Sequence, residues 1–318
     1  MRKVLAGVVT AVTAVTMAVA GSALASTPRP AYPVPYNFGA GIANEVLHPG
    51  SSPAGANDWS CKPTQAHPEP VVLLHGLLAD QTDNWATMSP LLANHGFCVF
   101  SLTYGTDPGV PFPLDQVGGL VALEQSSQQV AAFIHRVLAV TGAAKVDLLG
   151  HSEGTVQEGY YVKFLGGRAN VAKVVALTPL WHGTNAAGLA TLHQLATTLG
   201  FGPQVNHVVG LPCGACTEFL SDSPFMARMQ AGGGPTVPGI AYTDIMTRYD
   251  ELVVPYTSGI VHAPNVRNIV LQDLCPQDLS EHAAVAADEV AAQHVLNALD
   301  PAHAAPVHCA LVLPGVGG

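Results

Sequence analysis

Charge is what this sequence has least of. Asp, Glu, Lys and Arg make up 11% of its 318 residues, and 12 basic residues stand against 22 acidic ones. Without Arg2 and Lys3, which belong to a leader described below, 10 basic residues remain and the formal charge falls to −12. Nucleic acid and anionic membrane surfaces are poor partners for such a chain, because both are held by clustered Lys and Arg. So little charge suits a compact, rather apolar extracellular protein whose solubility leans on its negative balance. Internal repeats and a central low-complexity linker are also missing, which at this length favours one large domain. The C-x-x-C at Cys213 and Cys216 has no second copy and no thioredoxin-like surroundings, which weakens a zinc or redox reading.

The N-terminus opens with Met1-Arg2-Lys3, runs through apolar residues from Val4 to Ala20, and closes on Ala23-Leu24-Ala25. A basic start, an apolar stretch and an A-x-A-like end spell a secretory signal over 1–25, with the mature domain at 26–318. The alternative is an uncleaved anchor, since 4–25 is just long enough to span a bilayer. Six cysteines in an exported chain read as three disulfides, for which sequence alone leaves 15 pairings open. Cys213 and Cys216 are close enough for a local bridge.

Residues 26–70, rich in Pro, Gly, Ser and Asn, are expected to wrap the surface as an irregular arm, with Cys61 near its end. Val71 to Leu74 is a continuous apolar run, as in a strand buried on both faces of a parallel sheet, and it leads into His75-Gly76-Leu77-Leu78. Asp83 to His95 is helix-like with Gly96 as its stop, and Phe97 to Leu102, with Cys98, is strand-like. After a Pro- and Gly-rich connection, Val130, Phe133, Ile134, Val137 and Leu138 form one face of a helix over 123–140 that ends at Gly142. Strands are expected at 145–149, 171–177, 240–246 and 266–271, and helices at 152–165 and 283–299. The alternation implies a mostly parallel, doubly wound α/β sheet with right-handed crossovers. Residues 182–238 break the rhythm and read as a helical cap, with helix candidates at 188–199 and 218–231. Its apolar residues, among them Leu189, Leu192, Leu195, Leu199, Phe201, Phe219, Leu220, Phe225, Met226 and Met229, suit either an acyl-chain groove or plain core.

Chemistry concentrates at Gly150-His151-Ser152-Glu153-Gly154, a G-x-S-x-G placed between a strand and a helix. With 14 serines and 32 glycines, chance supplies the pattern roughly 0.1 to 0.2 times in such a chain, so its context has to carry the argument. In that context Ser152 occupies a sharp turn as a nucleophile. A serine hydroxyl needs a base to take its proton, and the base needs an acid to orient it. With such an elbow the three come in the order Ser, acid, His. Asp250 and His282 each follow an expected strand in that order, with Asp244, Glu251, Asp273 and Asp278 as competing acids. The backbone N–H groups of Leu77 and Glu153 are the candidate oxyanion donors. A carboxylate on Glu153 would oppose a developing negative charge, so its side chain is expected to point away from the acyl pocket.

VVLLHGLLAD at 71–80, GHSEG, FLGGRANVAKVVALTPLWHGT at 164–184, and TRYDELVVP at 247–255 with the later SEH together resemble the secreted class 2 lipases of actinobacteria. More distantly the chain is similar to the fungal lipase B type, whose acid sits in a D-E-hydrophobic-V context. The likeness spans about 34–300. It implies an α/β-hydrolase fold, a Ser152, Asp250, His282 triad, ester hydrolysis with no redox or organic cofactor, and bridges Cys61–Cys98, Cys213–Cys216 and Cys275–Cys309. No residues are singled out as metal ligands. Glu153 departs from the Gln that many relatives carry. The expectation is a secreted, monomeric ester hydrolase acting on lipid or other ester substrates, at an interface or a polymer surface. A polyesterase is the nearest alternative, then a peptidase or acyltransferase, then a binding protein on a dead scaffold.

Overall fold

Successive residues of the central strands pack into apolar clusters on opposite faces of the sheet and so build the two-sided core of this protein. The structure, a computed structural model, describes residues 30–107, 109, 111–185, 187, 188, 191 and 214–318. The expected signal segment, most of the 188–199 helix, Leu189, Leu192, Leu195, Leu199, Phe201 and Cys213 lie outside them. From Tyr32 to Gly318 the chain is one compact unit. Six parallel strands, β1 (Val71–Leu74), β2 (Val99–Ser101), β3 (Val146–His151), β4 (Val171–Leu177), β5 (Ala241–Met246) and β6 (Val266–Val270), lie in the order β2-β1-β3-β4-β5-β6. The chain runs outward from β1 to β2 and then returns to the other side of β1. The resulting switch point lies between β1 and β3, where open α/β sheets place their sites at the carboxyl ends of the strands.

Helices cover both faces. Val71 and Leu73 pack with α3 (Met88–Asn94) and α10 (Glu289–Leu299), while Val72 and Leu74 pack with α4 (Leu123–Thr141) and with Tyr161 and Val162 of α5 (Glu153–Phe164). On α4, Val130, Ile134 and Val137 are the buried face, and Gly142 closes the helix in the left-handed conformation, as the periodicity predicts. A third cluster lies above the strand ends, where Phe219, Phe225, Met226 and Met229 pack with Leu120, Leu123, Val156 and Leu180. The apolar residues of the cap are therefore mainly core among the described residues.

Several expected elements differ. The arm carries a helix, α1 (Phe38–Leu47), which follows Asn37 in an extended conformation. The 83–95 helix is two, α2 (Gln81–Asn84) and α3, because Asp80 starts the first: its side chain accepts the Thr82 and Asp83 N–H groups and Asp83 answers its own N–H. The 218–231 helix is likewise two, α7 (Gly214–Glu218) and α8 (Pro224–Gln230), with α6 (Gly167–Asn170) preceding β4. The last helix starts at Glu289, since Asp288 caps it, and a 3-10 turn, Ala284–Ala287, stands before it. A short α9 (Leu271–Leu274) leaves β6. Among the described residues, no helix is long and apolar enough to cross a membrane.

Candidate active site

The turn between β3 and α5 forces Ser152 into φ 55°, ψ −120°, a conformation that L-residues rarely adopt and that persists only when the surroundings dictate it. They do. The Ser152 N–H donates to Leu177 O at 3.0 Å, tying the turn to the end of β4, and its carbonyl accepts both the N–H and the hydroxyl of Thr155. The two motif glycines are steric requirements: a Cβ on Gly154 would lie 1.9 Å from Leu74 O, and one on Gly150 would lie 2.7 Å from the Glu158 carboxyl. Ser152, itself largely buried, thereby lines a cavity of about 300 Å³, which His282 also lines.

His282 Nδ1 lies 2.8 Å from Asp250 Oδ1, and both side chains are buried. Asp250 Oδ1 is itself held by the N–H groups of Leu252 and Val253, at 3.0 and 2.7 Å. Burial opposes a charge on His282, but the Asp250 carboxylate, followed by Glu251 and Glu281, outweighs it and leaves the pKa above the usual 6.5. No hydrogen bond joins the Ser152 hydroxyl to the His282 ring among the described residues, a contact that in unliganded sites often tightens only with substrate. The competing acids are elsewhere engaged. Glu251 accepts the His282 N–H, Asp273 pairs with Arg248 at the surface, Asp278 takes the Ser280 hydroxyl, and Asp244 is buried beside Trp181 and Glu158.

Leu77 lines the cavity, and its peptide plane is set from the Gly76 side. The Gly76 carbonyl accepts from His75 Nδ1 at 2.8 Å and from the Ala79 N–H at 3.2 Å, while the Gly76 N–H donates to Asn84 Oδ1 at 2.9 Å. His75 has Nδ1–H as its tautomer because Nε2 accepts the Tyr104 N–H at 3.1 Å. Burial lowers its pKa to about 4, so it stays neutral. Among the described residues neither the Leu77 nor the Glu153 N–H meets a protein acceptor. Glu153 begins α5, where the macrodipole adds to its free N–H. Its side chain is fully buried outside the cavity lining, with Oε1 accepting from Gln157 Nε2 at 3.0 Å. Burial, with Glu218 as a further negative neighbour, raises its pKa well above the usual value, against the Gln157 hydrogen bond, which lowers it, and so favours the neutral acid.

The loops carrying Asp250 and His282 are stitched together by residues that sequence reasoning missed. The Thr247 hydroxyl donates to Ser280 O at 2.6 Å, and Gln272 Nε2 reaches both Thr247 Oγ1 and Asp278 O, at 3.0 and 3.1 Å. Asn84 and His151 were missed likewise; of these only His151, inside the motif, stood where a signal existed. One cavity wall is also new: Phe38, Ile42 and Val46 of α1 face Leu180, Phe219, Leu252 and Val253. Cys61–Cys98 and Cys275–Cys309 are bridged, and Cys216 is disulfide-bonded. No group of His, Cys, Asp and Glu among the described residues is arranged to hold a metal ion.

With this geometry, comparison with known proteins is decisive at the level of family. The family model for lipase (class 2) matches residues 68–295. The chain belongs to the class 2 lipase family. Among curated proteins this family member is 31% identical over 99 residues to a triacylglycerol lipase of Pseudarthrobacter phenanthrenivorans, covering 29% of this chain and 27% of that protein. It is equally similar, 31% over 99 residues, to a triacylglycerol lipase of Burkholderia plantarii, covering 29% and 24%. The chain thus spans about a quarter of the length of the curated relatives it matches. Among solved structures, Aspergillus fumigatus lipase B superposes with a TM-score of 0.58 at 20% identity, over 81% of this chain and 56% of that one, a likeness of fold. The doubly wound sheet is that of an α/β hydrolase.

Proposed function

We propose that this class 2 lipase family member is a secreted serine hydrolase of carboxylic esters, with acylglycerols as its substrate class. The observation that carries the reading is the strained Ser152 sharing one apolar-walled cavity with a His282 whose far nitrogen is fixed on buried Asp250. Ser152 Oγ attacks the ester carbonyl carbon while His282 Nε2 takes its proton, and Asp250 stabilises the resulting imidazolium. The oxyanion is held by the Leu77 and Glu153 N–H groups. His282 then protonates the departing alcohol, and a water activated by the same nitrogen cleaves the acyl-Ser152 ester. The triacylglycerol lipase relatives and the cavity's Phe, Ile, Leu and Val walls support an acyl-ester substrate; the leader-like N-terminus and the disulfides support secretion.

Labelling with an alkyl phosphonate followed by peptide mapping tests this. A single adduct on Ser152 is expected, with esterase activity reduced by at least about 10³-fold in Ser152→Ala. An adduct elsewhere, or an active Ser152→Ala protein, rules the mechanism out. Hydrolysis of soluble esters of graded chain length, set against release from insoluble polyester, identifies the substrate.

A further inference from the structure

The mechanism gives His151 no task, yet its ring is buried between the loops that supply the oxyanion donor and the base. Its Nδ1 lies 2.9 Å from Asn84 Oδ1, and its Nε2 lies 2.9 Å from the main-chain carbonyl oxygen of His282. The same Asn84 oxygen accepts the Gly76 N–H at 2.9 Å. Gly76 immediately precedes Leu77, and a glycine has no side chain to restrict its dihedrals, so the orientation of the Leu77 peptide depends on such outside anchors. The contacts from Leu77 to Gly76, Asn84, His151 and His282 form a continuous path across the cavity floor.

We propose that His151 is a positioning residue with two separable outputs: through Asn84 and Gly76 it holds the oxyanion donor Leu77, and through the His282 carbonyl it holds the base. This rests on the serine-hydrolase reading above. Both atoms that face the ring are acceptors, since a carbonyl oxygen cannot donate and Asn84 Oδ1 is committed to the Gly76 N–H. A neutral imidazole carries a single N–H. Burial, then the neighbouring His282, lower the His151 pKa to about 3, so the ring is neutral near pH 7. One proton therefore serves two arms, with the Nδ1–H tautomer tightening the oxyanion side and the Nε2–H tautomer the base side. Neutrality also suits its place: the His151 and His282 rings are 5.2 Å apart, and a second cation there would oppose protonation of the base.

The arms can be cut one at a time. An Asn amide reaches the Nδ1 position of a histidine and a Gln amide reaches the Nε2 position, so His151→Asn keeps the oxyanion arm and His151→Gln keeps the base arm. Asn84→Ala removes the oxyanion arm from outside the elbow. Each variant is titrated with an alkyl phosphonate at Ser152, and kcat, KM and the pH profile are measured with a soluble ester below its own unfolding temperature. His151→Gln and Asn84→Ala are expected to lose about 10- to 100-fold in kcat with KM within about threefold, the signature of a weakened transition-state contact. His151→Asn is expected to keep more of kcat but to shift the acid limb of kcat/KM to lower pH, because His282 is held less firmly against Asp250. Unchanged kcat and pH limb in the folded variants, or losses that only follow thermal stability, overturn the positioning role. If a His151 variant does not fold, Asn84→Ala still decides the oxyanion arm. Failure of the phosphonate to label wild-type Ser152 sinks the hydrolase reading together with this one, whereas labelled Ser152 with unaffected variants sinks this one alone.

Discussion

Glu153 shows how far a single residue's meaning depends on its surroundings. A carboxylate next to the proposed oxyanion hole would oppose catalysis, but this one is buried and neighboured by the acid Glu218, and together these outweigh the Gln157 hydrogen bond, which favours the charged form. Glu153→Gln is therefore expected to change kcat by less than about tenfold. Its effect on stability has a definite sign. A folded-state pKa raised above the unfolded value of 4.5 means that the folded protein holds a proton the unfolded chain releases, so wild-type stability declines as pH rises from about 4.5 towards the raised pKa. Thermal unfolding of the pair across pH should show the Gln variant gaining on wild type over that range. His282 gives the opposite sense in activity: its raised pKa places the acid limb of kcat/KM above the usual histidine value of 6.5. Asp250→Asn should abolish that elevation and lower kcat by about 10³- to 10⁴-fold. Gly154→Ala, whose Cβ would lie 1.9 Å from Leu74 O, should cost about 3 kcal/mol or more in denaturant unfolding, or prevent folding.

Elements with one strong period were legible, and elements set by caps or close packing were not. The α4 face reads directly from Val130, Ile134 and Val137, and β4 keeps its expected limits of Val171 and Leu177 because an apolar run flanked by polar residues has few other places to go. Helix α1 was invisible because it lies in a stretch dominated by Gly and Pro, and it exists through packing. A Cβ on its Gly41 would lie 2.1 Å from Asp83 O, so α1 and α2 touch backbone to backbone. That contact puts Phe38, Ile42 and Val46 over the cavity, and Ile42→Trp is expected to shift ester preference towards shorter acyl chains, read from kcat/KM across a chain-length series. Helix α8 depends on a cap instead: Ser223 Oγ accepts the Met226 N–H at 3.1 Å, and Ser223→Ala should cost about 1 kcal/mol in denaturant unfolding.

For the whole molecule, the question is what keeps loops from distant parts of the chain in register. The tail after Cys309 lies along the His282 loop: the Leu279 N–H donates to Val312 O, and the Gly315 N–H donates to Glu281, next to His282. The Cys275–Cys309 bridge, 34 residues apart in sequence, closes this segment and should contribute about 3–4 kcal/mol through the unfolded chain's entropy. Replacing both cysteines by Ala should lower the unfolding free energy by that order and also lower kcat, whereas the same change at Cys61 and Cys98 should lower stability with kcat nearly unchanged. By itself the sequence determined the order of the six strands, the GHSEG turn, and the order in which Ser152, Asp250 and His282 follow one another. Those depend on local periodicity and on residues adjacent in the chain. Only the tertiary structure decided that Asp250 rather than Asp244, Glu251, Asp273 or Asp278 meets the His282 ring, that α1 walls the cavity, that the Glu153 side chain is buried, and that Asn84 and His151 join two loops. Each of these is a matter of burial or of a contact between residues tens to hundreds of positions apart, where the cost of leaving a polar group unpaired, rather than any spacing, selects the partner.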